Sequence, residues 1–290
     1  MNSENHKSIY SNKKMWAVVA TAAILIAATL LVYSYTYQQS QPKAAIVDEL
    51  SSSQLSSMSR RQNQTFITKA QELLHERFSE VDYYSDNATV DNYKTLASSG
   101  YKLIIWRAHS ALNLNSKYIA ISSSERFGSK NYDQYSNDQL TLCNITDDPY
   151  LYFAITPKFI EECMDGKFED TVIILMSCNG LKPEYGKTAE ALIQKGAKIL
   201  VSWDNWIESS DNDNAITLLL QHLIVQNSTI GEAVGVARGP YPSIYGPSEL
   251  IYYPRTDAAN YRIPDYRKDN VAAATGFAGA AYYVKIKEPD

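Results

Sequence analysis

The chain has 290 residues, of which 45% are hydrophobic and 20% are charged. This composition excludes a disordered or fibrous protein and is sufficient for one sizeable core. The formal net charge is -5, and the sequence has no cluster of Lys and Arg with interleaved aromatic residues, so we expect no nucleic-acid partner.

The N-terminal segment has the composition of a membrane anchor. Residues 16–32 form an apolar stretch long enough to cross a bilayer as a helix, and no charge occurs between residues 15 and 42. The alternative is a cleaved signal peptide, but this stretch exceeds the usual h-region of about 7–15 residues. We therefore predict an uncleaved single-pass transmembrane anchor over residues 15–37, so that the membrane is a partner of the chain.

The lysines around this stretch predict its orientation. Lys7, Lys13 and Lys14 precede the anchor, whereas only Lys43 follows it closely. The positive-inside rule then leaves residues 1–14 as a cytoplasmic tail and places the C-terminal bulk outside the cell membrane, in an extracytoplasmic compartment.

A linker separates the predicted anchor from the predicted domain. Residues 38–64 are rich in Ser and Gln and contain the dibasic pair Arg60-Arg61, which is typical of an exposed stalk. We predict the folded domain over residues 65–290. Its first helix is predicted from apolar residues at helical spacing, namely Phe66, Ile67, Ala70, Leu73, Leu74 and Phe78.

Strand and helix patterns then alternate along the chain. Short apolar runs predict strands at residues 81–84, 103–108, 118–122, 151–155, 172–176 and 199–203. Periodicity and capping residues predict helices at residues 89–98, 158–164, 188–195, 213–226 and 229–238. This alternation predicts an α/β fold with an open, mostly parallel sheet and helices on both faces.

Two of the predicted strands end in residues that are unusual in a core. The run LIIWRAHSAL places His109 and Ser110 after one strand, and TVIILMSCNGL places Cys178 after another. Parallel strands bring their carboxyl ends to one sheet edge, where a thiol nucleophile finds a base and backbone N–H groups. Taken singly, a His or a Cys at such a position is more often a packing residue.

The same order of features resembles the caspase-like cysteine peptidases, which include gingipains, clostripain, separase and the CHAT domains, with the CHAT and separase branch the closer match. The resemblance covers roughly residues 102–238. It rests on the two strand ends, on TAEALIQKGAKILVSW, on the acidic loop before the next long helix, and on TIGEAVGVARG.

This resemblance implies a role for individual residues. His109 would be the general base and Cys178 the nucleophile, with the backbone N–H groups of Ser110 and Cys178 forming the oxyanion hole. Asp213, or failing that Asp211, would be the carboxylate at the floor of the S1 pocket that binds a basic side chain. The alternative for both aspartates is capping of the next helix.

The predicted compartment bears on the remaining cysteines. An extracytoplasmic domain permits disulfides, so Cys143 and Cys163 are a candidate pair and Cys178 is the odd thiol. The alternative is that all of them are small buried hydrophobic residues. No metal site or cofactor is predicted, because the four His and three Cys lack the spacing of metal ligands.

The resemblance implies a cysteine endopeptidase that uses a His-Cys dyad and cleaves peptide or protein substrates after basic residues, and the N-terminal segment predicts that it is membrane-anchored and extracytoplasmic. Arg60-Arg61 is then a candidate self-cleavage site. The alternative is a catalytically inactive caspase-like module that binds a partner at the cell surface, because Ser110 and Ser177 stand where the family usually has Gly and Ala. An amidotransferase or an α/β-hydrolase fits poorly, since both place the nucleophile before the His.

Overall fold

The structure of the protein is a computed structural model that describes residues 16, 18–32, 42–146 and 148–267. The chain divides into two units, Met1–Gln41 and Pro42–Asp290. In the first unit, residues 18–32 are helical. No helix among the described residues has both the length and the apolar character needed to cross a membrane. The predicted cytoplasmic tail, and residues 15, 17 and 33–37 of the predicted anchor, lie outside the described residues.

The second unit contains the elements that build the candidate site. Its strands are β1 (Lys43–Asp48), β2 (Val81–Tyr84), β3 (Tyr101–Arg107), β4 (Ser110–Asn113), β5 (Tyr118–Arg126), β6 (Leu140–Asn144), β7 (Leu151–Ile155), β8 (Thr171–Met176), β9 (Ala197–Trp203) and β10 (Leu250–Tyr253). Its α-helices are α1 (Gln64–Leu74), α2 (Val90–Thr95), α3 (Asp133–Ser136), α4 (Pro157–Glu162), α5 (Lys187–Gln194), α6 (Ser209–Leu220), α7 (Ile230–Ala237) and α8 (Arg255–Ala258). Short 3-10 helices span Glu49–Ser51 and Leu96–Ser98, and a π-helix spans Gln221–Val225.

The larger sheet is mostly parallel. Within the described part of this unit its strands have the order β10-β9-β8-β3-β1-β2, and β10 is antiparallel to its neighbour while the other pairs are parallel. The predicted α/β class with a mostly parallel sheet is confirmed. Solid apolar runs form these inner strands because both of their faces are covered.

Each face of this sheet packs into its own hydrophobic cluster. Along β3, for example, Leu103 and Ile105 belong to one cluster and Ile104 and Trp106 to the other, as the alternation of side chains in a strand requires. The first cluster contains residues of α1, α6 and α7. The second contains residues of α2, α4 and α5, so helices cover both faces.

The structure corrects the predicted place of two strands. We expected β5 and β7 in the parallel sheet, but they belong to a separate antiparallel sheet with the order β4-β5-β7-β6 among the described residues. Ile121 and Ile155 of this sheet lie in the same hydrophobic cluster as Trp106. A short apolar run does not by itself specify its pairing partner, which is why the sequence did not separate the two sheets.

The predicted stalk over residues 38–64 is wrong for most of its length. Its segment KAAIVD is β1, which pairs with β2 on one side and β3 on the other and is almost entirely buried. The dibasic pair is also folded: the Arg61 N–H donates to the Leu50 carbonyl (2.7 Å), and the Arg61 carbonyl accepts from Arg107 Nη2 (2.8 Å). The Ser and Gln content of this region did not indicate the six-residue strand. Arg61 is exposed, but its backbone is hydrogen-bonded on both sides, so the pair is not the unfolded segment that the self-cleavage hypothesis assumed.

Candidate functional site

The two predicted catalytic residues lie at equivalent positions on neighbouring strands. β3 and β8 are adjacent and parallel, and Arg107 of β3 is in register with Met176 of β8. His109 and Cys178 each follow two residues later. Both line one cavity of about 410 Å³ at the carboxyl edge of the sheet. The sheet topology thus brings together the residues that the sequence analysis paired.

Hydrogen bonds to two other chain segments, the one after β1 and strand β5, hold His109 in the described structure. Its backbone N–H donates to Glu49 Oε2 (3.0 Å), and its carbonyl accepts from the Ser122 N–H (2.9 Å). Its ring Nε2 lies 2.9 Å from the Ser59 carbonyl oxygen. Since a carbonyl can only accept, Nε2 carries the proton and Nδ1 is the basic nitrogen of the neutral ring.

Burial sets the protonation states of both groups. Loss of solvent lowers the pKa of His109 to about 4, and it raises the pKa of the Cys178 thiol to about 11. The Cys178 Sγ–H donates to the Ile207 carbonyl at 3.6 Å, whereas the imidazole bonds to Ser59. At neutral pH the site therefore holds an uncharged thiol and an uncharged imidazole that have different partners.

The turn after β8 requires a residue without a side chain. A Cβ added at Gly180 would lie 1.9 Å from Ser202 Oγ and 2.8 Å from Ser202 Cβ, so the backbone passes directly against β9. Ser202 Oγ is fixed by donating to the Leu175 carbonyl (2.6 Å). The preceding residue, Asn179, has a φ of 60°, a left-handed conformation that Asn tolerates better than most residues. Cys178 is thus placed on a tight turn.

The predicted oxyanion-hole residues lie at the same cavity. Ser110 begins β4 opposite Ile121, and its hydroxyl donates to the Cys178 carbonyl. That bond ties the segment after β3 to the segment after β8. Ser177 also lines the cavity, and its buried Oγ has no hydrogen-bond partner among the described residues. A polar group of a ligand would satisfy it.

The predicted S1 carboxylates lie elsewhere. Asp213 is buried and forms a bidentate pair with Arg107, and it also accepts from Asn63 Nδ2 (2.9 Å). Asp211 is half-buried in the first turn of α6. Neither aspartate is among the residues that line the cavity, although Asn212 between them is. The carboxylate that does line the cavity is that of Glu208.

The candidate disulfide is not formed. Cys143 and Cys163 are free thiols, as is Cys178. Cys143 is packed with Ala120 and Tyr152, while Cys163 packs against the separate cluster that contains Phe159. Burial raises the pKa of Cys143 to about 12. The alternative of small buried hydrophobic residues describes Cys143 well.

Several site residues were missed by the sequence analysis. Ser59 and Glu49 contact His109 from the segment after β1, and they were missed because β1 itself was missed. Trp206 lines the cavity after the end of β9, together with the exposed residues Ile244 and Tyr245. Because β9 ends at Trp203, a search for site residues just beyond the ends of the predicted strands would have found Trp206.

Neither a group of metal ligands nor a similar protein gives further information about this site. Among the residues that the structure describes, no group of three or more His, Cys, Asp or Glu side chains could hold a metal ion. A scan against protein-family models and a search of curated proteins gave no match to the chain.

Proposed function

We propose that the chain is a caspase-like cysteine endopeptidase in which Cys178 is the nucleophile and His109 the general base. The observation that carries this proposal is the cavity that His109 and Cys178 share at the carboxyl ends of two adjacent parallel strands. Each of them follows by two positions a strand residue, Arg107 or Met176, and these two strand residues are in register. Open α/β sheets bind their ligands at this edge. The order of features along the chain, which resembles that of the caspase-like peptidases, supports the same assignment.

The protonation states suggest how the reaction would start. When a substrate carbonyl enters the cavity, the Cys178 proton passes to His109 Nδ1 as the sulfur attacks the carbonyl carbon. The backbone N–H groups of Cys178 and Ser110 would stabilise the oxyanion. As the C–N bond breaks, the imidazolium returns its proton to the leaving amine, and water then hydrolyses the thioester. During all of these steps, the hydrogen bond from Nε2 to the Ser59 carbonyl would keep the imidazole ring oriented.

The proposed preference for a basic residue before the scissile bond depends on Glu208. The Asp213 carboxylate is already neutralised by Arg107, so it is not available to a substrate in this arrangement. Glu208 lines the cavity and is exposed. A Lys or Arg side chain of the substrate would pair with it.

We also propose that residues 15–37 anchor the chain in the membrane with the second unit outside. Apolar side chains of the helix at residues 18–32, among them Ile24 and Leu31, are exposed. Exposed apolar side chains on a helix are favourable in a bilayer and costly in water. Extraction of the full chain from membranes by alkaline carbonate would contradict the anchor.

An inactive binding module is the second candidate. Two observations favour it: the thiol bonds to Ile207 and not to His109, and its pKa is raised. Enzymes with a thiol nucleophile usually lower that pKa. The exposed Ile244 and Tyr245 beside Trp206 would then be part of a recognition surface.

The experiment is a peptide-library digestion by the full chain in detergent, with cleaved bonds identified by mass spectrometry. We expect cleavage after Arg or Lys, lost in both Cys178→Ala and His109→Ala. The matched control is Cys163→Ala, which removes a half-buried thiol outside the cavity. Cleavage that persists in Cys178→Ala would contradict the peptidase. If neither the parent chain nor any variant cleaves the library, the binding module is supported instead.

A further inference from the structure

A buried carboxyl group is hydrogen-bonded to the backbone of the proposed base. Glu49 is fully buried at the carboxyl end of β1, and its Oε2 accepts the His109 N–H at 3.0 Å. Oε1 has no hydrogen-bond partner in the described part of the chain. The His109 N–H lies beyond the last residue of β3, where no strand partner accepts it, so Glu49 supplies an acceptor that the sheet does not.

The surrounding charges favour the protonated form of Glu49. Arg107 is the nearest guanidinium, and it is already paired with two buried carboxylates, those of Asp48 and Asp213. Ionisation of Glu49 would add a further buried negative charge to this cluster without adding a cation. Burial, and to a smaller extent Asp48, raise the pKa of Glu49 to about 8.

The other polar neighbours of Glu49 do not supply a counter-charge. Ser122 of β5 lowers the pKa of Glu49, as Arg107 also does, but the Ser122 hydroxyl donates to the Ser123 carbonyl. Tyr93 of α2 and Cys143 of β6 also face it, and the pKa of each is raised, for Cys143 to about 12. Both groups therefore stay uncharged while Glu49 titrates.

We propose that Glu49 is a positioning residue for His109 and that it acts as a neutral carboxylic acid. This inference rests on the proposed function, in which His109 is the base. The neutral acid accepts the His109 N–H and so fixes the backbone from which the imidazole projects. Because the acid is neutral, it adds no buried negative charge next to His109 that would favour the imidazolium, so the ring stays uncharged and able to accept the Cys178 proton.

The test compares Glu49→Gln, which keeps a neutral acceptor, with Glu49→Ala, which removes it. Ring resonances of His109 are followed by NMR between pH 6 and 10 in the full chain, with assignment from His109→Ala. We expect an inflection near pH 8 for His109 in the parent that is absent in Glu49→Gln. An unchanged inflection in Glu49→Gln would overturn the proposal.

Peptide hydrolysis gives the second arm. At pH 7 we expect Glu49→Gln to keep kcat within about 3-fold of the parent and Glu49→Ala to lose about 10-fold or more, with KM little changed. Parent-like kcat in a folded Glu49→Ala would overturn the positioning role. The NMR titration does not depend on peptide hydrolysis. An inflection near pH 8 in a chain that hydrolyses no peptide would support the contact between Glu49 and His109 and would contradict the peptidase. If Glu49→Ala fails to fold, Glu49→Gln alone decides through its NMR titration.

Discussion

The Arg107 guanidinium and the Asp213 carboxylate form a buried bidentate ion pair, with Nε–Oδ1 and Nη2–Oδ2 distances of 2.9 Å each. Arg107 Nη1 also donates to Asp48 Oδ1 at 2.9 Å. Burial opposes the charge of Arg107, but the two carboxylates outweigh this effect and raise its pKa. The pair links β3 to α6, so the aspartate that resembled a specificity residue has a structural role.

Asp213→Asn should therefore destabilise the protein. Removing one partner of a buried ion pair typically costs ~3–5 kcal/mol, because the remaining charge is left uncompensated. Asp211→Asn is the matched control, since Asp211 is half-buried and outside this pair. Chemical denaturation of the two variants measures the difference. Equal free energies of unfolding would contradict the structural role.

Glu208→Gln should weaken the preference for basic residues without unfolding the domain. An exposed ion pair is worth at most ~1 kcal/mol, so kcat/KM for an Arg substrate should fall up to about 5-fold relative to a neutral one. The ratio of the two substrates in parent and variant measures this effect. A ratio that changes in Asp213→Asn and not in Glu208→Gln would return the specificity role to Asp213.

Gly180→Ala should be destabilising because its Cβ has no room beside Ser202. Overpacking of this kind costs ~1–3 kcal/mol, and it displaces the turn that carries Cys178. Ser202→Gly creates the missing space, so Gly180→Ala should cost less in that background. A double-mutant cycle by thermal denaturation measures the coupling. An additive cycle would argue against this contact.

The raised pKa of Glu49 makes stability depend on pH. In the unfolded chain Glu49 ionises near pH 4.5, but in the fold it stays protonated until about pH 8. Its stabilising contribution is thus complete below pH 4.5 and is lost as pH rises to about 8, by at most ~5 kcal/mol. Glu49→Gln removes this loss, so its stability relative to the parent should increase between pH 5 and 8. Parallel stability curves would contradict the raised pKa.

Thiol labelling should separate the cysteines. With a pKa of about 11, Cys178 should react with iodoacetamide at pH 8 roughly 100-fold more slowly than a free thiol of pKa about 8.5, and faster as pH rises. Cys143 is 1% exposed and should stay unlabelled in the native protein. Mass spectrometry of timed samples measures both. Rapid labelling of Cys178 at pH 7 would show that its thiol is activated.

Much of the strand and helix pattern could be predicted from the sequence. Thr156 caps α4 with Pro157 in its first turn, and Thr229 forms a capping box with Glu232 at the start of α7. These are local signals, because a cap depends on residues within one helical turn. The apolar runs of β3, β8 and β9 were equally local, since a strand covered on both faces needs apolar residues throughout.

The sequence by itself therefore determined that an imidazole and a thiol each follow a buried strand, since that statement needs only the order of residues along the chain. The tertiary structure alone decided that β3 and β8 are neighbours, which places both groups at one cavity. It also decided that Asp213 pairs with Arg107 across 106 residues, and that β1 brings Glu49 and Ser59 to His109. Contacts between distant segments depend on how strands pair and which faces are buried, and no local pattern specifies these.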